Sequence, residues 1–319
     1  MSVTSPTKIP KSITISHFQK NYGKALKLEL ITGNRALGRR LKEGRVNRPA
    51  LALTGFFKFF SNKCVQVFGA AEMTYLKSFS EQEQYEKLRE LVKRTIPCIV
   101  LTRNYIPPKP MLRLVKEKNL PLFRTPFITR HFINAATVYL EYEFAPRTTA
   151  HGTLMDIGGT GTLIRGSSGV GKSECALALI ERGHSLVADD LTYVSLIDEH
   201  KLIGRSSELN RGYMECRGIG IINVAEMFGI RSVRVEKRID LVITFRIWEA
   251  GMEEERTGLD QDYFEIHGIK TPHIELLVRP GRDMARLVEV AALGQALKAL
   301  GHDSAREFNE RLIAHMRRK

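Results

Sequence analysis

No apolar run in the 319 residues approaches the ~20 that cross a bilayer, so a helical membrane span is excluded. The sequence also lacks a cysteine framework. Its four cysteines (Cys64, Cys98, Cys175 and Cys216) stand far apart, with neither disulfide-scaffold nor zinc-ligand spacing. They read as reduced thiols. The first residues have no apolar core of the kind a secretory signal needs, and the expected location is the cytoplasm. No internal repeat or low-complexity tract is present. Acidic residues are scarce at first. Residues 1–131 hold 8 Asp/Glu against 25 Lys/Arg, whereas residues 132–319 hold 27 against 24. Such a step in charge, together with the length, predicts two domains with different tasks.

In the basic part, Ser80-Glu81-Gln82-Glu83 is a capping-box signature, opening an amphipathic helix to about residue 94. A strand over 97–102, a helix over 107–118 and a strand over 120–124 follow. This order predicts a small α/β domain. Thr125-Pro126 resembles an N-cap with proline at the first helical position. A long helix, about 126–145, is therefore expected to join domains spanning 1–131 and 132–319. The second part begins with strands at 153–157 and 161–165 around the turn Gly158-Gly159. A helix over 172–182 ends at Gly183. Further strands are predicted at 185–189, 192–197, 220–224 and 239–245, with helices over 283–300 and 304–316.

Gly166-Ser167-Ser168-Gly169-Val170-Gly171-Lys172-Ser173 matches G-x-x-x-x-G-K-[ST] between a predicted strand and a helix. Small residues let successive backbone N–H groups turn inward around phosphate oxygens. The helix N-terminus adds partial positive charge. Lys172 supplies a full charge at the β/γ-phosphates, and the Ser173 hydroxyl is a Mg²⁺ ligand candidate. Asp189-Asp190 ends the next predicted strand, at the sheet edge where phosphates would lie. A carboxylate there either ligates Mg²⁺ or accepts a proton from a hydroxyl nucleophile. The plainer alternative is a strand-end turn with a capping aspartate.

Several stretches together resemble the bacterial HPr kinase/phosphorylase family. They are His151-Gly152, the loop 166–173 with Glu174, Arg182-Gly183-His184, and Leu186-Val187-Ala188-Asp189-Asp190. Three more agree in order: Glu215-Cys216-Arg217-Gly218-Ile219-Gly220, Glu255-Arg256-Thr257-Gly258-Leu259, and Val278-Arg279-Pro280-Gly281-Arg282. The resemblance covers most of residues 147–319. It implies a C-terminal P-loop kinase domain of the phosphoenolpyruvate-carboxykinase-like type, following the small N-terminal α/β domain. It implies phosphorylation of one serine on HPr, the phosphocarrier protein of the sugar phosphotransferase system, with ATP or pyrophosphate and Mg²⁺. It also implies dephosphorylation by phosphorolysis to give pyrophosphate, and a hexameric assembly. Carried over by position, Lys172 and the 166–172 backbone hold nucleotide or phosphate, and Ser173 and Glu215 hold Mg²⁺. Asp190 takes and returns the serine proton, with Asp189 assisting. His151 and Arg256 fall on active-site positions. Val278, Arg279, Pro280, Gly281 and Arg282 correspond to a segment used mainly in dephosphorylation. Ser167 departs from the family's usual acidic residue.

Without the resemblance, each of these residues has an ordinary reading. His151 would be a capping or core histidine, Glu215 a surface carboxylate, and Arg256 the partner of Glu253-Glu254-Glu255. Pro280-Gly281 would be a turn. Cys175 is either an oxidation-sensitive thiol or a small buried helix residue. Two other functions compete. One is a nucleotide sensor whose basic N-terminal domain binds nucleic acid, although no nucleic-acid-binding signature accompanies the charge. The other is a kinase for a different serine protein.

Overall fold

The computed structural model describes residues 11–32, 34–252 and 257–317. The chain divides into two compact units, the boundary falling between Ala145 and Pro146.

The N-terminal unit is built on a five-stranded sheet. Its order is Glu29–Leu30, Leu122–Arg124, Ile99–Leu101, Val65–Phe68 and Val46–Asn47, parallel except for the Glu29–Leu30 edge. The central strands are buried on both faces, as the apolar run Ile99-Val100-Leu101 requires of a covered parallel sheet. Alternation divides that run. Ile99 and Leu101 pack against helices Ala70–Lys77, Glu81–Val92 and Lys109–Glu117 through Leu76, Leu88 and Leu114. Val100 faces the other way, toward Phe18 of Ile15–Tyr22 and Phe132, Ala136 and Leu140 of Thr129–Phe144. Ser80 caps its helix as its sequence predicts. Its backbone N–H donates to Glu83 Oε2 at 2.9 Å, and its Oγ accepts from the Glu83 N–H at 3.4 Å.

The long helix begins at Thr129, not at Pro126. Thr125 is no helix cap: its N–H donates to the Leu101 carbonyl and its hydroxyl to the Leu26 carbonyl, both at tertiary distance. The helix does not serve as a joint after residue 131. Its apolar face completes the N-terminal core, so it belongs to that unit.

The C-terminal unit stacks three layers. A six-stranded sheet runs Ser185–Ala188, Thr153–Ile157, Thr160–Gly166, Leu241–Ile247, Ile269–Val278 and Asp262–Ile266. Strands Thr160–Gly166, Leu241–Ile247 and Ile269–Val278 are mutually parallel. On one face Ile164, Ile243 and Phe245 pack under helices Lys172–Glu181 and Met284–Ala299, through Leu179, Val288 and Ala292. The intervening Leu163 and Val242 face a second sheet through Val194 and Leu202. That sheet is ordered Glu236–Arg238, Lys201–Arg205, Leu191–Ile197 and Arg147–His151. The period-2 alternation of these strands thus supplies two buried faces.

Two corners carry the chain between the sheets. Gly152 joins Arg147–His151 to Thr153–Ile157, and Asp189-Asp190 joins Ser185–Ala188 to Leu191–Ile197. The Gly152 N–H donates to the Asp190 carbonyl at 2.9 Å. Gly152 has φ +153°, and a Cβ there would lie 2.6 Å from the Ile164 carbonyl oxygen. Only glycine fits this corner.

Candidate active site

The strand Thr160–Gly166 delivers the glycine-rich loop, and the helix beginning at Lys172 carries it away. Gly171 is left-handed at φ +99°, so it turns the chain into the helix. Val170 anchors the loop in the apolar core beneath it. The remaining loop residues, Ser167, Ser168 and Gly169, are exposed. Lys172 is buried, and its Nζ donates to the carbonyls of Gly166 (3.2 Å) and Ser167 (3.0 Å). It curls over its own loop, where a phosphate would replace two neutral carbonyls as its partner.

The aspartate pair reaches the same place from the strand Ser185–Ala188. This strand lies antiparallel to Thr153–Ile157, which is antiparallel to the loop strand, so its C-terminal end meets the loop's edge of the sheet. Asp189 Oδ1 accepts from the Thr153 hydroxyl at 2.9 Å, and Oδ2 from the Glu215 backbone N–H at 3.2 Å. Burial pushes the Asp189 carboxyl above the ordinary aspartate range. The two hydrogen bonds oppose that shift, and the neighbouring Asp190 charge adds to it. Asp190 is exposed, in the left-handed region at φ +59°. Aspartate tolerates that conformation better than most residues.

A two-stranded ribbon, Tyr213–Cys216 with Gly220–Asn223, closes the cleft from the third side. Its alternation buries Met214 and Cys216 and exposes Glu215, and Arg217 is exposed in the turn that follows. Lys172, Ser173, Asp189, Asp190 and Glu215 all line this cleft, together with Ser168, Gly169, Gly171, Glu174 and Arg217. Arg217 was not singled out from sequence. The available signal was its place two residues after Glu215, in the turn that follows the strand. Thr153, which orients Asp189, had no local signal.

The other sequence candidates lie elsewhere. His151 is exposed at the end of its strand, opposite Leu191, and does not line the cleft. It neighbours the site through the Gly152–Asp190 backbone bond. Val278 ends a strand parallel to the loop strand and one strand removed from it, so Arg279, Pro280, Gly281 and Arg282 share the loop's edge of the sheet. There the Arg279 guanidinium lies 4.5 Å from the Trp248 ring centroid, and Arg282 Nη1 donates to the Leu277 carbonyl. These residues do not line the cleft either. Arg256 and Glu253-Glu254-Glu255 lie outside the described residues. All four cysteines are free and buried. The Cys175 thiol is pushed up to about 12, chiefly by burial, so it is a packing residue, not a reactive one.

The cleft's donors suit a hard cation: a hydroxyl at Ser173 and carboxylates at Glu215, Asp189 and Asp190. Among the described residues no three His, Cys, Asp or Glu side chains gather into a metal cage. Mg²⁺ needs none, since it is commonly held by one or two carboxylates plus substrate phosphates.

The model of the HPr serine kinase C-terminal domain matches residues 142–312, and that of the HPr serine kinase N terminus matches residues 13–140. The chain belongs to the HPr kinase/phosphorylase family. The HPr kinase/phosphorylase of Leptospira biflexa serovar Patoc is 44% identical over 293 residues, covering 91% of each chain. That of Caldicellulosiruptor bescii is 43% identical over 296 residues, covering 92% of this chain and 95% of its own. A solved structure of the Hpr(Ser) kinase/phosphatase from Coxiella burnetii shares 36% identity, covering 51% of this chain and 98% of that one, with a TM-score of 0.45. The family models divide the chain close to the boundary between its two units.

Proposed function

We propose that this member of the HPr kinase/phosphorylase family phosphorylates a seryl hydroxyl of an HPr-like phosphocarrier protein in the cytoplasm. ATP or pyrophosphate is the donor, and the phosphoserine is removed by phosphorolysis. The observation that carries this reading is the convergence of a P-loop lysine and a paired-aspartate corner on one cleft. A hexameric assembly is part of the same reading.

In the forward direction the 166–172 amides and Lys172 bind the polyphosphate. The ionised Asp190 accepts the seryl proton as the serine oxygen bonds to the terminal phosphorus and the bond to the leaving phosphate breaks. In the reverse direction inorganic phosphate attacks the phosphoseryl phosphorus. Protonated Asp190 then returns its proton to the departing serine oxygen, and pyrophosphate forms. Its exposure suits Asp190 to this exchange. Asp189, tied to Thr153 and to the Glu215 N–H, orients the corner and the ribbon instead. Ser173 and Glu215 would hold Mg²⁺, which supplies neutralising charge on phosphate oxygens when bound. His151 and Arg256 are assigned supporting roles, with Arg256 placing donors on phosphate. The segment Val278 to Arg282 serves the reverse reaction.

The test is phosphate transfer in both directions on purified HPr. The expected result is seryl phosphate with ATP and Mg²⁺, and pyrophosphate from phosphoserine-HPr and inorganic phosphate. No seryl phosphate from the native chain would overturn the reading. Asp190→Asn is expected to lose roughly 10²–10⁴-fold in rate, the range of a general acid–base group, while still binding ATP. Full activity of that variant would remove the assigned base.

A further inference from the structure

In the N-terminal unit the loop between helix Ala50–Leu53 and strand Val65–Phe68 reads Thr54-Gly55-Phe56-Phe57-Lys58-Phe59-Phe60-Ser61-Asn62-Lys63. Its phenylalanines divide by position. Phe57 and Phe60 turn inward and pack against the core that includes Leu88 and Leu91, their ring centroids 5.8 Å apart. Phe56 and Phe59 stay outside, 50% and 81% exposed, and Leu51 just before them is 66% exposed.

The outward set is held in place. The Phe60 N–H donates to the Phe57 carbonyl and the Phe56 N–H to the Leu51 carbonyl, both at 3.1 Å. Buried Gln66 donates through Nε2 to the Ser61 carbonyl at 2.8 Å, and Asn62 Nδ2 donates to the Arg94 carbonyl at 2.6 Å. Three large apolar side chains are thereby fixed on the surface of one short segment, the kind of patch that marks an interaction site.

Cations accompany the patch. Lys58 Nζ lies 5.6 Å from the Phe59 ring centroid, and the Arg94 guanidinium 3.8 Å from that of Phe57. Among the described residues Lys58, Lys63 and Arg94 form no ion pair. A groove beside them is lined by Phe57, Phe60, Asn62, Lys93 and Arg94. Its one carboxylate, Glu90, is already paired with Lys93 at 2.5 Å.

This combination selects its occupant. Aliphatic Leu51 cannot stack on a base, and one face of Phe57 is taken by Arg94, so the patch is a poor stacking platform for nucleic acid. A second copy of the chain would bring the same unpaired cations face to face. A bilayer surface accepts apolar side chains at the boundary of headgroups and acyl chains, and cations on its phosphates. We propose that this loop docks the N-terminal unit on an anionic lipid surface. Leu51, Phe56 and Phe59 enter the headgroup region, and Lys58, Lys63 and Arg94 pair with lipid phosphates. The chain lies on that surface, since no helix among the described residues is long and apolar enough to cross it. The 25 Lys/Arg against 8 Asp/Glu of residues 1–131 add long-range attraction.

The test is co-sedimentation of the full chain with vesicles of phosphatidylcholine alone, or of phosphatidylcholine with about one-third phosphatidylglycerol. The native chain is expected on the mixed vesicles only, with retention falling as salt rises. Phe56→Ser/Phe59→Ser is expected to weaken binding about tenfold or more, and Lys58→Gln/Lys63→Gln roughly tenfold. Thermal unfolding and phosphate transfer to HPr should stay native in both, because these side chains lie outside the core and the cleft. No retention of the native chain overturns the proposal, as does equal retention on neutral vesicles or native-like binding by the phenylalanine variant. A native chain that ignores vesicles but binds oligothymidylate, or self-associates, and loses that property in the phenylalanine variant, overturns the lipid assignment in favour of a nucleic-acid or subunit contact.

Discussion

Burial and hydrogen bonding compete at Asp189. Desolvation raises its carboxyl, while the Thr153 hydroxyl and Glu215 amide stabilise the ionised form and draw it back. Since the folded-state value is raised, this group's contribution to stability is fullest in acid, below the ordinary aspartate range. It is lost as pH rises through the folded value. Thr153 is fully buried and nearly isosteric with valine. Thr153→Val removes one donor to the carboxylate and so pushes Asp189 further up. The expected outcome is an acid limb of the kcat–pH profile displaced to higher pH, measured against the native chain. A limb displaced downward, or unmoved, would show that the Thr153 bond does not hold Asp189 ionised for the reaction. The proposed mechanism gives orientation to the tied Asp189 and proton transfer to the exposed Asp190.

Among the elements, local signals were most legible where a cap or turn is written within a few residues. Ser80 and Glu83 satisfy each other's backbone donors, and the predicted helix forms there. Ser80→Ala is expected to lower unfolding free energy by about 1 kcal/mol, the usual value of an N-cap hydroxyl, read from denaturant midpoints at constant m-value. Asp283, capping Met284–Ala299 through the Arg286 N–H, follows the same rule. The element reading failed where tertiary partners decide. Thr125 has the look of a cap yet bonds Leu101 and Leu26. The ten-residue strand Ile269–Val278 contains Pro272 and charged residues, and it is stabilised by pairing on both sides. Of the ribbon beside the cleft only the second strand, Gly220–Asn223, was anticipated, and Tyr213–Cys216 was not.

Over the whole molecule, the chain forms two units with separate cores, divided after Ala145 and not at the charge step after residue 131. Ligand binding stabilises the part that binds. Calorimetric unfolding of the full chain is therefore expected to show more than one transition, with pyrophosphate raising only that of the C-terminal unit. A single transition shifted as one would show the units to be energetically inseparable. The sequence by itself determined the phosphate loop, the aspartate pair and the two-part organisation, because each is encoded by neighbours along the chain or by summed charge. The tertiary structure alone decided that Thr129–Phe144 completes the first core, that Thr153 steadies Asp189, and that Arg217 lies across Gly169. The Thr153–Asp189 bond joins residues 36 positions apart, and the Arg217–Ser168 bond residues 49 apart. They follow from how buried faces align in space, which no local spacing records.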